Sequence, residues 1–597
     1  PHLELAVSDA YDQLAKLQSE RGNKTLAEDI YRQSVQRWQS IHEGVGSQNT
    51  LDKLVIAHTN LGLTLNQLAR QPEAIESYNK AINLLSNLEE ANRRVESSRL
   101  LADALDKRAI AMMQQGDLDS AIESYQHSAE VYKLVISRKP DHPEILSDYS
   151  NMCSNLGIAF AMSNRTMKAR ERFKEAKEIC ERLVELYPDE SEYRYELAGY
   201  LANLARSLNE LGEPEQSEKF SLESIGHLRQ VSAKDGRLGY RSRLIVALSN
   251  FANFLRDNNR MKEALSFYEE AIPQSRQLIE DQPDVPGNKR DLARLYNNLG
   301  RLHESQNRIS EALGTYRDSR DLRQELVDAY PDSVDFRHGL GLSENGLGTA
   351  YVKSGDHLKA EACFERANAI FERLVNENPN VGMYQESKGW ALAKMGFLHL
   401  SKGQYPEAKD WMIKTVASRR ALVEADREIV EYRNLLGGAL NDLGIAQREL
   451  GEFEQASRSF QEAIEHQKYA LGKNPNRIRY REYLGEHHIE LALTNAATLE
   501  FDRIAQDVDS FLELWPGSGR RIFDFATRLA AKADAEVMQE KGIPQATEFV
   551  EQVKRLTRSA SNLEDFDVPN LSSLPQFDAV LSMPEFRKFA SELETDG

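Results

Sequence analysis

The strongest constraint on this chain is a period. An alanine, once replaced by serine, recurs along most of the sequence, with an aromatic residue four positions later and Ala, Ser or Thr seven positions later. The anchors are Ala27, Ala74, Ala121, Ala169, Ser217, Ala264, Ala312, Ala360, Ala408 and Ala456, separated by 47, 47, 48, 48, 47, 48, 48, 48 and 48 residues. The aromatic partners are Tyr31, Tyr78, Tyr125, Phe173, Tyr268, Tyr316, Phe364 and Phe460, with Ser221 and Met412 as departures. Self-similarity at one fixed spacing means a stack of like units, each burying its apolar face on the next. The length agrees, because 597 residues is far beyond the size at which a single core stops growing.

Three further positions keep step with the anchors and define the unit. Thirteen residues before the anchor lies a Leu-Gly or Leu-Ala step, as at Leu61-Gly62, Leu156-Gly157, Leu204-Ala205, Leu299-Gly300, Leu347-Gly348 and Leu443-Gly444. Small residues there let two helices approach closely. Eight residues after that leucine position stands Gly or Asn in nine of ten copies: Gly22, Gly116, Asn164, Gly212, Asn259, Asn307, Gly355, Gly403 and Gly451. Both tolerate a left-handed backbone and mark a helix C-terminus. Nineteen residues after six anchors comes Pro140, Pro188, Pro283, Pro331, Pro379 or Pro475, which closes the second helix because proline cannot continue one. Each unit therefore reads as two antiparallel helices, and the Tyr and Phe residues at fixed phase read as core knobs.

Composition narrows the function. Lys+Arg 75 against Asp+Glu 94 gives a net charge of −19, which repels polyanions and argues against nucleic acid as partner. No apolar run long enough to insert in a membrane is present. Cys153, Cys180 and Cys363 lie far apart, suggest neither disulfide nor zinc site, and fit a cytoplasmic location. Phosphate-loop, dinucleotide, nucleophile-elbow and kinase signatures are missing, so neither catalysis nor a cofactor is expected. His487 and His488, flanked by Glu486 and Glu490, point about 100° apart on a helix. They cannot share a metal and read as a solvated face.

The order Leu-Gly, Ala-x3-aromatic, Pro resembles the tetratricopeptide (TPR) pattern, whose usual period is about 34 residues. Here the step from Ala312 to Pro331 is 19 and from Pro331 to Leu347 is 16, against about 12 and 9 in the usual unit. Each helix has gained seven residues, two turns that leave its faces in phase. The added segments carry an aromatic-Arg entry: Tyr193-Arg194, Tyr240-Arg241, Phe336-Arg337, Tyr432-Arg433 and Tyr480-Arg481. The resemblance implies an all-α fold, a right-handed TPR-type superhelix (α-solenoid) of antiparallel helix pairs with extended helices. About ten repeats would fill 1–490, shorter hairpins 491–559 would cap them, and 560–597 would form a short helical tail. Repeats such as Tyr296 to Arg323 also resemble those of kinesin light chains, and still more the long-period arrays that follow the kinase domain in some bacterial serine/threonine protein kinases. A chain beginning at Pro1 is expected to be a piece of a longer protein.

Asparagine precedes the Leu-Gly step at Asn60, Asn155, Asn203, Asn250 and Asn298, with Asn345 displaced by one because Gly346 holds that place; Lys107, Lys394 and Asp442 interrupt the series. In TPR proteins the first helices line a concave groove and asparagines near this position hydrogen-bond an extended peptide. The resemblance thus implies an amide ladder for a peptide or partner helix. The alternative reading is that these amides bridge neighbouring helices or occupy a wet position. The expected function is a non-catalytic interaction scaffold. Its rival is a regulatory or substrate-recruiting arm of a bacterial serine/threonine kinase that acts on its own kinase domain or by self-association. The Ser217 repeat, lacking the alanine, the aromatic and the proline, reads as the least stable copy.

Overall fold

The computed structural model describes residues 2–88, 93–379, 381–475, 477–498, 500–532, 543–563 and 566–596. Among the described residues there are 26 α-helices, two 3-10 turns and no strand, and no helix is long and apolar enough to cross a membrane. The ten anchored hairpins are α1 (His2–Glu20) with α2 (Lys24–Val45), α3 (Gln48–Gln67) with α4 (Gln71–Ser86), α5 (Val95–Gln115) with α6 (Leu118–Arg138), α7 (Pro143–Met162) with α8 (Thr166–Leu186), α9 (Ser191–Glu210) with α10 (Pro214–Lys234), α11 (Leu238–Asp257) with α12 (Met261–Asp281), α13 (Pro286–Ser305) with α14 (Ile309–Ala329), α15 (Val334–Lys353) with α16 (His357–Glu377), α17 (Gly382–Ser401) with α18 (Tyr405–Ala425), and α19 (Val430–Glu449) with α20 (Phe453–Lys473). Two more follow, α21 (Ile478–Ala497) with α22 (Phe501–Leu514) and α23 (Gly519–Ala530) with α24 (Ile543–Ser561), then α25 (Asp578–Leu581) and α26 (Pro584–Asp596). The chain forms two compact units, 1–284 and 285–597.

In six of the ten hairpins the side chain four residues beyond the anchor lies on a glycine of the first helix; in the other four that place is Ala15, Ala109, Ala205 or Ala252. The nine anchor alanines are fully buried, and the side chain four residues on lies across the small residue of the first helix. A Cβ added to Gly62 would come within 2.7 Å of the Tyr78 ring, one on Gly157 within 2.6 Å of Phe173, and one on Gly444 within 2.7 Å of Phe460. Met412, the departure from aromaticity, fills the same place, 2.6 Å from a Cβ on Gly396. The Tyr316 ring meets two such glycines, Gly300 of its own hairpin and Gly346 of the next, at 2.8 and 2.7 Å. This is why the asparagine of that repeat is displaced to Asn345.

The first helix of every hairpin ends in the same way. The residue eight after the leucine position is left-handed in all ten copies, with φ between 57 and 93°. The next amide returns to the carbonyl five residues earlier, as in Arg165 N–H to Phe160 O at 2.8 Å and Asp356 N–H to Tyr351 O at 3.0 Å. The exception to Gly or Asn is Ala69, held at φ 58° although its Cβ disfavours that region.

The seven added residues interlock successive hairpins. The entry tyrosines donate to acidic residues at the start of the preceding first helix, Tyr240 to Glu192 at 3.0 Å and Tyr480 to Glu431 at 2.8 Å. The neighbouring arginines reach the last turn of their own second helix, Arg241 to Asp281 at 2.6 Å and Arg337 to Glu377 at 2.6 Å.

At the C-terminal end α21 is full length and runs unbroken through 491, so shortening starts only with α22. The rings of Phe577, Phe586 and Phe589 fold back from the tail into one core with Ile489, Phe511, Phe525 and Leu556.

Two predictions follow from these packing differences. Ala69→Gly relieves the left-handed strain and raises unfolding stability by about 0.5–1 kcal/mol, readable by urea denaturation. Helix α10 buries only Ile225, Leu228 and Val231 among large apolar side chains, whereas α6 buries Ile122, Tyr125, Val131, Tyr132 and Val135. Its amides are expected to exchange earliest within 1–284; protection equal to that of α6 contradicts this.

Candidate binding face of the first helices

In 1–284 successive first helices pack on one another, α3 on α5, α5 on α7 and α7 on α9; in 285–597 α13 packs on α15, α15 on α17, and α19 on α21. Within each unit, up to α20, successive second helices approach much less, and long side chains span them: Arg32 to Glu73 at 3.3 Å, Arg229 to Glu270 at 2.6 Å, Arg420 to Glu462 at 2.6 Å. A stack that is tight along one edge and open along the other curves toward the tight edge. Within each unit the first helices therefore form the inner face.

Polar side chains lace that face at an offset of one repeat plus one residue. In 1–284 Arg99 pairs with Asp148 at 2.8 Å, Tyr200 donates to Asn151 at 2.8 Å and Ser147 to Glu196 at 3.2 Å. In 285–597 His338 bonds Ser387 at 2.9 Å. This lacing was missed in the sequence, where a pairing at 49 hides beside a period of 48.

The asparagines divide. Asn155 hydrogen-bonds Asp106, and Asn203 donates to Ser154 of the preceding first helix at 3.4 Å while accepting from Arg206 at 2.8 Å. Both amides thus serve the bridging role. Asn250 is exposed, Asn60 and Asn298 are half-buried, and Asn345 holds a buried Oδ1 with no partner. Of the residues that interrupt the series, burial pushes Asp442 up to about 7 and lowers the Lys394 ammonium. Beside Lys107, Asp106 is also pushed up to about 7, by burial and then by Asp103.

The face of 285–597 also carries large exposed apolar side chains: Leu342 (39%) on α15, and Trp390 (39%) and Phe397 (43%) on α17. Leu342 and Trp390 occupy the same place in consecutive repeats, and Phe397 lies seven residues beyond Trp390, two turns along the same stripe. A guanidinium, Arg419, lies 4.7 Å from the Trp390 ring centroid. Aligning the repeats on their anchors would have found this stripe, since the places of Trp390 and Phe397 are polar or small in several other copies.

His487 and His488 do not form a solvated face. They are 2% and 3% exposed, one against Asn441 of α19 at 3.0 Å and the other against Asp507 of α22 at 2.8 Å. Their 100° separation sends them to different neighbours. The adjacent Glu490 is buried as well, paired with Arg448 and Arg528 at 2.5 Å each.

Comparison with known proteins bears on the architecture. Models described as tetratricopeptide repeat match residues 243–325, 389–427, 55–84 and 345–372. These stretches are tetratricopeptide repeats. No curated protein matches the chain. Among solved structures, the apo form of RapI is similar at 14% identity over 71% of this chain and 99% of that one, TM-score 0.45. BtubC (BKLC) from P. vanneervenii is similar at 22% identity over 44% of this chain and 92% of that one, TM-score 0.35. A chain of the APC/C hetero-tetramer Cut9-Hcn1 is similar at 12% identity over 94% and 96%, TM-score 0.29. At these identities and scores the likeness says nothing of ligands. A scaffold for protein–protein interaction is the role that tetratricopeptide repeats fit.

Asp106 gives the inner face a pH signature. Its folded value of about 7 exceeds the ordinary 3.8, so the folded chain binds the extra proton. The resulting stability is fully present below 3.8 and is lost as pH rises through about 7. Asp106→Asn is therefore expected to be more stable than the parent at pH 8, by about 1 kcal/mol or more, and to match it near pH 4, as read by chemical denaturation.

Proposed function

We propose that this chain is a non-catalytic interaction scaffold whose first-helix face binds an extended segment or helix of a partner protein. The observation that carries the reading is the exposed stripe of Leu342, Trp390 and Phe397 beside Lys394 and Asn345, whose Oδ1 has no partner. Large apolar side chains left in water together on a concave face mark interaction sites. An amide with an unfilled acceptor beside them suits a peptide backbone. Asn60, Asn250 and Asn298 extend the amide series as further peptide contacts, whereas Asn155 and Asn203 hold helices together. The repeats of 1–490 form the binding array in this reading, with 491–559 as cap and 560–597 as its tail.

The kinase-arm reading is a narrower form of the same proposal and is supported by the resemblance of the long repeats. It predicts that a kinase domain encoded upstream of Pro1, added in trans, competes with bound peptides.

Selection of peptides from a random display library on the purified chain tests the proposal. Enriched peptides are expected to bind the Leu342→Ala, Phe397→Ala double variant at least ~10-fold more weakly, about 1.4 kcal/mol, with the melting temperature changed by less than about 2 °C. Equal affinity for parent and variant removes this stripe from the binding face.

A further inference from the structure

The position eleven residues beyond the anchor lies late in the second helix and faces the core. It is Trp38, Leu85, Tyr132, Cys180, Leu228 and Phe371 in six copies, all of them buried. In α14 it is Arg323, 6% exposed. Among the described residues Arg323 makes no ion pair. Its Nη1 donates to the Gly339 carbonyl and to Ser343 Oγ, while Nε has no partner. A buried guanidinium without a carboxylate is costly to fold, and burial lowers this one to about 10.

Arg323 lies in the wall of a pocket of about 390 Å³ between α13 and α15. Gly339 makes room for the guanidinium against α15, since a Cβ there would lie 3.3 Å from Nε. Arg290, Asp291 and Arg294 of α13 and Asp335 of α15 also line it. Arg290 is occupied by Asp291 at 3.2 Å and Asp335 at 3.4 Å. Arg294, 46% exposed, reaches Asp291 only at 3.8 Å. The remaining titratable wall residue, His338, is committed to Ser387. Three guanidinium groups against two carboxylates leave a positive pocket in a chain of net charge −19. Leu326, Phe336 and Leu342 supply an apolar rim, and Leu342 is shared with the stripe described above.

We infer that this pocket takes the anionic side chain, carboxylate or phosphate ester, of a partner segment lying on the first helices, with Arg323 and Arg294 as its two ligands and an apolar residue of the segment against Leu342. The inference rests on the peptide-binding reading for its ligand, but the pocket's affinity for anions can be measured without it. Charge complementarity selects the occupant: two incompletely paired guanidinium groups offer the planar donors that oxyanions accept.

The first probe is inorganic phosphate against chloride at equal ionic strength, followed by thermal unfolding. Phosphate is expected to raise the parent's melting temperature by ~2 °C or more. Arg323→Met and Arg294→Ala should each abolish the shift, and Arg419→Met, at the corresponding place in α18 but outside the pocket, should retain it. Arg323→Met alone should match or exceed the parent's melting temperature without phosphate, because it removes an unpaired buried charge; a guanidinium that only braces α15 would give a lower one. The second probe is one selected peptide in Glu, phosphoserine and Gln forms. Binding of the Glu form, the phosphoserine form or both at least tenfold tighter than the Gln form, with the difference gone in Arg323→Met, identifies the natural anion. A phosphate shift with no peptide selected sustains the anion pocket and removes the peptide reading. No phosphate shift, or peptides that bind Arg323→Met and the parent equally, overturns the inference while leaving the apolar stripe standing.

Discussion

The fold depends on one contact, a ring or a Met side chain laid in most hairpins on a small residue sixteen positions earlier, glycine in six copies and alanine in the others. That contact sets the distance between the helices of a hairpin, because no Cβ fits beneath Tyr78, Phe173 or Phe460. With the distance set, the anchor alanine is sealed, and the leucine beside the glycine turns toward the neighbouring hairpin. Repetition lets a chain of modest hydrophobicity bury its apolar faces hairpin against hairpin within each compact unit, without any single hairpin having a core of its own. Where the ring serves two hairpins, as Tyr316 does, the next repeat supplies a second glycine and shifts its asparagine.

Much of this was legible in the sequence because the constraints are local and repeat. A left-handed helix end needs Gly or Asn, a ring seat needs a small residue, and a helix that must stop meets proline. Ala69 escaped notice because its conformation is imposed by the hydrogen bonds of the turn rather than chosen by the residue. His487 and His488 were misread for a different reason. Periodicity gives the phase of a residue around its helix but not what covers that phase, and α21 is enclosed by α19, α20, α22 and α23. Glutamates on either side suggested water, yet Glu490 is buried between two arginines.

The inner face was legible only in outline. The asparagine series lies on the first helices, but equal spacing does not mean equal employment. Asn155 and Asn203 are consumed by neighbours, whereas Asn345 keeps an unfilled acceptor. Leu342, Trp390 and Arg323 were invisible to a search for shared features because they are departures from the pattern. In a repeat protein the common residues build the frame, and the uncommon ones carry what distinguishes it from other frames.

The contrast between the two edges of each stack has a mechanical consequence. Along the inner edge the helices are close-packed, and such contacts lose energy steeply when parted. Along the outer edge the span from Arg32 to Glu73, or from Arg420 to Glu462, is held by exposed charges whose attraction is small in water and weakened further by salt. Each stack is therefore a leaf spring, stiff along the inner edge and compliant along the outer. Its curvature, and hence the spacing of the side chains it presents, is adjustable by ionic strength at little energetic expense.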